Sequence, residues 1–501
     1  MKSYLTLRLL LCGLLTLSPA VSAALAQLPP SEQEKLLNEA NALNAQGSQL
    51  YQQGRFPEAT ERFQKALEVL RQAYPKEQHA QGNPLLARAL NNLGFVFQAQ
   101  GDHGKAEPLL REALAMDQTL YPKNKYPHGH PDLAISLSNL GSLLRDQAEY
   151  GNAEPFYRQA PEMRQKLYPR DKYPQGHPHL AQSLTNLGLL LHQRGQYDKA
   201  EPFLRQALEM KQALYPRDRY PQGHPEVARS LNNLGALLQD QGRYGKAELL
   251  YRHALEMRQT LYPRDKYPQA HPDLADSINN LGILLQAERE YGKAEGFYRQ
   301  ALEMRQILYP KDKYPQGHPE LAATLNNLAY VLRDKGEYAK AAEFYDQALA
   351  MRQMLYPKAK YPQGHPDLAT TCSDLGLLLK DQGEYAKAET FLRQALEMSQ
   401  ALYPKKDYPN GQPVQLRCLT NLGAVLQAQK EHAKAEGLCR EGLALAQALY
   451  PKDTYPRGHP DLAQSLERLG LLLKAKGEDA KAEPYLREAT EMRRMLSLKE
   501  K

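Results

Sequence analysis

The amino-acid sequence predicts an all-α solenoid, which is built from ten helix-turn-helix repeats with a period of 47 residues. Two sequence markers recur at this period, and each period contains two amphipathic helical patterns. A fixed period of a few tens of residues is typical of solenoids, in which each repeat buries its apolar face only against its neighbours.

The first marker is a His-Pro pair, replaced once by Gln412-Pro413 and preceded by Asn83-Pro84; its histidines are His130, His177, His224, His271, His318, His365 and His459. The second marker is a small residue, at Gly47, Gly94, Gly141, Gly188, Gly235, Gly282, Ala329, Gly376, Gly423 and Gly470. These ten positions number the repeats 1 to 10 in chain order. Together the repeats extend from about Leu36 to Leu496.

The fifth repeat shows what each repeat contains. Apolar residues recur three and four apart over 225–240, which predicts an amphipathic first helix. Pro225 suits the first helical position, and Gly242 suits the left-handed conformation that ends a helix. A second helix is predicted from about Tyr244 to Leu261, because the proline that follows Tyr262 forces that residue out of the helical region.

The two ends of the chain fall outside this period. Residues 1–26 have the basic start, apolar run and small-residue cleavage site of a signal peptide, which predicts export to the periplasm or the exterior. Residues 27–35 are predicted to be a lead-in, residues 36–497 the solenoid, and residues 498–501 a tail. No later apolar run is long enough for a membrane span, so no stable insertion is expected after the signal is removed.

The net charge of +7 over 501 residues is mild and mixed in sign, which does not favour a nucleic-acid partner. Three cysteines follow the signal, namely Cys372, Cys418 and Cys439. They are predicted to be small buried residues, although export leaves a bridge between Cys418 and Cys439 open.

The linkers between repeats are rich in His, Tyr and Pro, as in the segment 214–224. One His per repeat does not supply the several close ligands that a metal needs, so a structural turn is favoured over a metal site. The paired tyrosines, such as Tyr262 and Tyr267, are expected to pack over the ends of the helices. A platform for stacking bases or sugars is the alternative.

The spacing of Leu234-Gly235, Leu238, Ala247, Tyr251 and Ala254 resembles the tetratricopeptide pattern. The longer pattern S-L-N-N-L-G, Q-G-x-Y-x-K-A-E and H-P-x-x-A is similar to the repeats of kinesin light chains and their exported bacterial relatives. This resemblance implies a right-handed superhelical solenoid whose first helices line a concave groove. It does not imply motor attachment, because this chain has a signal peptide and no heptad coiled coil before its repeats.

In peptide-binding members of such families, an Asn two residues before the small marker hydrogen-bonds the backbone of an extended partner. The resemblance therefore implies the groove candidates Asn92, Asn139, Asn186, Asn233, Asn280, Asn327 and Asn421, with Arg229 as a candidate at a position that varies between repeats. The other interpretation is that these asparagines bond the adjacent helix and stabilise the stack. Both interpretations remain open at this point.

No nucleophile elbow, glycine-rich phosphate loop or metal-ligand spacing occurs in the sequence, so it predicts no enzyme, no cofactor and no metal. The predicted function is an exported scaffold that binds a protein or an extended peptide. The alternatives are a passive spacer in the cell envelope and glycan binding by the linker tyrosines. The sequence does not indicate an oligomeric state.

Overall fold

The computed structural model describes residues 29–497, apart from residues 77, 78, 80, 148, 269, 407, 409, 454, 456 and 457. Within this part of the chain the protein consists of twenty α-helices and no strand. Odd-numbered helices are the first helices of successive repeats, and even-numbered helices are the second. They are α1 Pro30–Gln52, α2 Phe56–Ala73, α3 Pro84–Ala99, α4 His103–Leu120, α5 Pro131–Asp146, α6 Tyr150–Leu167, α7 Pro178–Gln193, α8 Tyr197–Leu214, α9 Pro225–Asp240, α10 Tyr244–Leu261, α11 Pro272–Ala287, α12 Tyr291–Leu308, α13 Pro319–Asp334, α14 Tyr338–Leu355, α15 Pro366–Asp381, α16 Tyr385–Leu402, α17 Pro413–Ala428, α18 His432–Leu449, α19 Pro460–Ala475 and α20 Asp479–Ser497.

The chain divides between Pro174 and Gln175 into two compact units. The N-terminal unit holds repeats 1 to 3, and the C-terminal unit holds repeats 4 to 10, whereas the sequence predicted one undivided solenoid. Within each unit a first helix packs against the second helix of its own repeat, which in turn packs against the next first helix. None of the described helices is long and apolar enough to cross a membrane.

The first helices of repeats 2 to 10 begin where a side chain and a proline fix the first turn. In repeat 5 the ring of His224 accepts a hydrogen bond from the backbone N–H of Glu226, with 3.2 Å between Nδ1 and N. Pro225 occupies the first helical position, where its missing N–H is not needed. The predicted bounds 225–240 and Tyr244 to Leu261 are confirmed for α9 and α10.

Two glycines at repeat 5 are required by close approach and backbone conformation. A Cβ added to Gly235 would lie 2.9 Å from Cε1 of Tyr251, so this residue lets α10 approach α9 closely. Gly223, just before the capping His224, has φ +86°, a left-handed conformation that other residues rarely adopt. Together they fix the angle at which one repeat follows another.

The start of the solenoid differs from the prediction. α1 begins at Pro30, so the predicted lead-in 27–35 contains the first six residues of a helix. Pro30 and the first-turn Glu32 give this segment a helix start of its own, and Gln33 Nε2 donates to the carbonyl of Ala73 at 3.2 Å. The predicted signal peptide and the tail 498–501 lie outside the described residues.

Candidate partner-binding surface

The candidate surface is one stripe of side chains on the first helices. In α9 this stripe consists of Arg229, Asn233 and Ala236, which remain at least partly exposed while the residues between them are mostly buried. The equivalent residues of the other first helices are found by steps of 47 and complete what we call the first-helix stripe. The predicted groove candidates all fall on this stripe.

Several of the predicted asparagines bond a neighbouring first helix. Asn139 Nδ2 donates to Asn91 Oδ1 at 3.0 Å, and Asn421 Nδ2 donates to Ser373 Oγ at 3.0 Å. Asn327 likewise donates to Asn279 Oδ1 at 3.2 Å, while Asn92 lies at the 3.5 Å limit from Asn44 Oδ1. For these four residues the stacking interpretation describes the observed contacts, and Asn421 is also buried.

Asn233 and Asn280 differ from those four residues. Both are half-buried, and neither side chain makes a hydrogen bond within the described part of the chain. They lie on adjacent first helices, α9 and α11, which contact each other. Asn186 is intermediate, because its Oδ1 accepts from Gln182 Nε2 of its own helix at 2.8 Å.

The residues around Asn233 and Asn280 combine charge with apolar surface. Arg229 is about half exposed and pairs with Glu226 at 2.9 Å. Ile283 is 36% exposed on the stripe, and Asp276 accepts from Arg305 Nη2 at 2.6 Å. Repeats 5 and 6 therefore bring together a cation, two available amides, an aliphatic side chain and a carboxylate.

The sequence analysis missed a buried polar contact between successive repeats, which we call the inter-repeat seam. Arg258 of α10 is 3% exposed, and its Nη1 donates to the Asp273 carbonyl at 2.6 Å and to Ser277 Oγ at 2.7 Å. Asn232 Nδ2 reaches the same hydroxyl at 3.3 Å. Burial lowers the pKa of Arg258 from its usual value.

The signal for this seam was present in the sequence. A cation recurs at one position of the second helix, in Arg164, Lys211, Arg258, Arg305 and Arg352, and each of these five residues is buried. A Ser or Thr follows 19 residues later at Ser183, Ser230, Ser277, Thr324 and Thr371. This pairing of positions was the available signal, but a cation on a helix normally indicates an exposed face.

The linker aromatics form a repeated cluster with a structural role. Tyr215 stacks on His224 with 3.6 Å between ring centroids and 1° between planes, and Tyr220 lies edge-on to both rings. Burial lowers the pKa of His224, which keeps Nδ1 free to accept the capping hydrogen bond. The inner Tyr ring is thus already stacked, which leaves only the outer Tyr, 37% exposed at Tyr220, for the glycan alternative.

All three described cysteines are buried, as the sequence predicted, and the bridge between Cys418 and Cys439 that the sequence left open is not formed. Burial raises the pKa of the Cys372 thiol to about 12 and that of Cys418 to about 11. Within the described residues, no group of three or more His, Cys, Asp or Glu side chains is arranged to hold a metal ion.

Three comparisons place the chain among known proteins. Two family models, both described as tetratricopeptide repeat, match it; one covers residues 38–119, 172–213 and 415–495, and the other covers residues 133–179, 227–273, 274–320, 321–367 and 368–407. No curated protein matches.

Three solved structures that resemble it are all less than 25% identical, and the likeness concerns the fold alone. A Podospora anserina kinesin light chain with nearly identical TPR-like repeats has a TM-score of 0.34 at 21% identity, over 45% of this chain and 97% of that chain. A Rap protein in complex with the competence and sporulation factor has a TM-score of 0.44 at 15% identity, over 79% and 99%. The apo quorum sensor NprR of B. thuringiensis has a TM-score of 0.48 at 14% identity, over 83% and 97%.

The period, the helix pairs and the two matching models agree with one another along the repeats. The chain belongs to the tetratricopeptide repeat family.

Proposed function

We propose that this protein is an exported scaffold that binds an extended peptide, or an extended segment of a partner protein, along the first-helix stripe of repeats 5 and 6. Tetratricopeptide repeats generally mediate protein–protein interaction and are generally not enzymes. The export part of the proposal rests on residues 1–26, whose sequence has the layout of a signal peptide.

The observation that carries the proposal is the difference between Asn233 and Asn280 and the asparagines that bond within the stack. A carboxamide offers both donors and an acceptor, so it can pair with the N–H and C=O groups of any extended backbone. Leaving such a group partly buried without a partner costs free energy, which a bound peptide recovers. Repeats 5 and 6 therefore offer a place to hold a main chain.

The neighbouring side chains supply selectivity at the same place. Ile283 offers an apolar contact, and the half-exposed Arg229 attracts a carboxylate. Because Arg229 is already paired with Glu226, an acidic side chain on the partner competes with that pair instead of meeting an unpaired cation. The favoured partner is an extended segment with an aliphatic residue and a nearby acidic residue.

The test is affinity capture from the native cell envelope with the tagged chain from Gln27, which contains every described residue. The double variant Asn233→Ala, Asn280→Ala is compared with the control Gln259→Ala, Gln306→Ala, which removes two exposed amides from second helices. Two lost hydrogen bonds of about 1 kcal/mol each predict that the first variant captures the partner roughly 25-fold more weakly than the wild type. The control should capture the partner as strongly as the wild type does. Equal helicity and melting are checked for both.

Each outcome has one meaning. A partner that the wild type and the control retain and that the stripe variant loses supports the proposal. A partner that all three retain equally places binding elsewhere and contradicts it. If none of the three captures a partner, the passive spacer becomes the better account.

A further inference from the structure

The linkers between repeats carry the net positive charge of the protein. Each of the eight linkers from 122–128 to 451–458 has one or two more Lys and Arg than Asp and Glu. The charges of these linkers sum to +10, which exceeds the formal net charge of +7 of the whole chain. The helices and the turns inside the repeats contribute no net positive charge beyond it.

The linker cations also differ from the other cations in their pairing. At the turns between first and second helices, ion pairs such as Lys340 with Glu337 at 2.8 Å and Lys476 with Glu478 at 2.7 Å are frequent. No Lys or Arg of the eight linkers, where described, makes an ion pair within 4.0 Å. Their side chains are exposed to solvent, without a carboxylate at ion-pair distance.

Two consecutive linkers of the C-terminal unit, 310–317 and 357–364, add apolar side chains to this charge. Ile307 and Met354 end the helices that lead into them and are 44% and 48% exposed. The equivalent residues of repeats 2 to 5, 8 and 9 are small or polar, namely Thr119, Lys166, Ala213, Thr260, Ala401 and Ala448. The equivalent residue of repeat 10, Met495, is also large and 37% exposed, but it precedes none of the eight linkers. Large exposed aliphatic side chains thus stand at this position in two neighbouring repeats.

The same two linkers are rich in lysine. The first has Lys311 and Lys313 around Asp312, and the second has Lys358 and Lys360 around Ala359, where no acid offsets the charge. We call Ile307, Met354 and these four lysines the lysine edge. Because the two helices of each repeat are antiparallel, successive linkers lie on one edge of the unit and the turns inside the repeats lie on the opposite edge.

We propose that the lysine edge docks on the anionic headgroups of a membrane surface. Lysine side chains near such a surface are attracted to negative lipids within a Debye length, and their stems can lie along apolar surface while the ammonium groups stay in water. Ile307 and Met354 then reach the boundary between headgroups and acyl chains. A soluble polyanion offers no such apolar layer, so it leaves the two aliphatic side chains unexplained.

The tyrosine of the first linker fits the same surface. Tyr314 is 38% exposed, and its ring lies edge-on to the inner ring of Tyr309 with 5.4 Å between centroids. Tyrosine is favoured at membrane interfaces because one end of its side chain is apolar and the other is polar. The docking is peripheral, and it does not depend on the peptide surface proposed for repeats 5 and 6.

The test measures co-sedimentation of the chain from Gln27 with vesicles of phosphatidylcholine, with and without phosphatidylglycerol. We expect binding only to the anionic vesicles, and release as the salt concentration rises. The variant Lys358→Gln, Lys360→Gln should bind roughly 25-fold more weakly, because each lysine near the surface contributes about fivefold. The variant Ile307→Ser, Met354→Ser should also weaken binding.

The matched control is Lys340→Gln, Lys387→Gln, which removes the same charge from repeats 7 and 8 at the opposite edge, where both lysines are paired. It should bind as the wild type does, and all variants should keep equal helicity and melting. Absence of binding to anionic vesicles overturns the proposal, and so does an equal loss in the control. If dextran sulfate binds with the same dependence on Lys358 and Lys360, and the serine variant binds vesicles as the wild type does, the ligand is a soluble polyanion and the lipid proposal is wrong.

Discussion

Two stretches of the C-terminal unit join their repeats in different ways. After repeats 5, 6 and 7 the seam is closed by a buried arginine, at Arg258, Arg305 and Arg352. After repeats 8 and 9 the same position holds Ser399 and Ala446, both 0% exposed. The helices on either side begin and end at equivalent residues in both stretches, so the fold does not depend on which solution is used.

The residues that face this position in the next repeat also differ between the two stretches. Opposite Arg305 lie the carbonyl and carboxylate of Glu320 and the hydroxyl of Thr324, whereas Cys418 occupies the hydroxyl position opposite Ser399. The first turn of α17, which follows Ser399, contains no acidic residue. Where the seam buries a cation, the facing residues thus supply oxygen acceptors that bind it. Such acceptors are needed because burying an unpaired charge costs much free energy.

The arginine seam therefore contributes more to the positions of the side chains around it than to the stability of the fold. A buried ion pair often contributes little net stability compared with apolar packing, which is what the serine and alanine seams provide. Arg305 does something that Ser399 cannot, because its Nη2 also reaches Asp276 Oδ1 at 2.6 Å. It therefore links the seam to a carboxylate on the first-helix stripe.

The largest expected effect comes from truncating one arginine of the polar seam. Arg305→Ala leaves the hydroxyl of Thr324 and two carboxylates without their cation, and we expect the local free energy of unfolding to fall by about 3 kcal/mol. Because stability in a repeat array is local, the measurement is amide hydrogen exchange of α12 and α13.

The control for that variant is Ser399→Ala, a truncation at the equivalent position of the neutral seam. Its expected cost is about 1 kcal/mol, because the neutral hydroxyl of Ser399 loses its hydrogen bond to the Leu396 carbonyl and its contact with the Cys418 thiol, and no charge is left unpaired. An equal loss of protection in Arg305→Ala and Ser399→Ala would show that the two kinds of seam are energetically the same.

The N-terminal unit contains a third kind of seam, whose contribution to stability depends on pH. Asp117 occupies the position of the arginines, is fully buried and accepts from Ser136 Oγ at 2.5 Å. Burial raises the pKa of this carboxyl to about 6 from 3.8, against the hydrogen bond from Ser136, which lowers it. A raised folded-state pKa stabilises the protein at low pH, and this contribution is lost as the pH rises through about 6.

We expect the N-terminal unit to lose about 1 kcal/mol of stability between pH 5 and pH 7 from this carboxyl. The control is Asp117→Asn, which keeps an acceptor for Ser136 but has no charge to bury. In the same unit, burial lowers the pKa of His130, so the stability that this capping residue contributes rises with pH. The wild type and Asp117→Asn share this contribution, and it cancels when their pH profiles are subtracted. The difference between their pH profiles, followed by hydrogen exchange of α4 and α5, isolates Asp117, and a flat difference would contradict the assignment.

The elements of the fold were predictable because their limits are written in the sequence. Pro225 and Gly242 bound α9, and the Tyr262-Pro263 pair ends α10, by local rules that need no tertiary information. The period then transfers these limits to the other repeats. The start of α1 was missed, because Pro30 lies outside the period although it obeys the same rule.

From the sequence, the candidate site could be predicted only as a set of equivalent positions, without knowing which of their side chains bond within the stack. Asn233 and Asn139 stand at the same place in their repeats, yet Asn139 bonds Asn91 and Asn233 bonds no described residue. What distinguishes them is the side chain 48 residues earlier, which is Asn91 for Asn139 and Thr185 for Asn233, and the Thr185 hydroxyl donates to the Ala181 carbonyl of its own helix. The buried Arg258 was missed for a related reason, since its acceptors belong to the next repeat.

The smallest expected effect concerns the linker that follows Arg258. Ala270 has φ 68°, whereas the equivalent Gly223, Gly317 and Gly364 supply this left-handed conformation without a Cβ. Ala270→Gly should therefore raise the stability of α10 and α11 by about 1 kcal/mol, measured by their hydrogen exchange. Ala359→Gly is the matched control two linkers further along the chain; Ala359 has no positive φ, so there the added freedom of the unfolded chain should cost about 0.5 kcal/mol. Opposite signs for the two substitutions would show that backbone strain sets the difference between linkers, and equal signs would show that the arginine seam holds its linker whichever residue stands at 270.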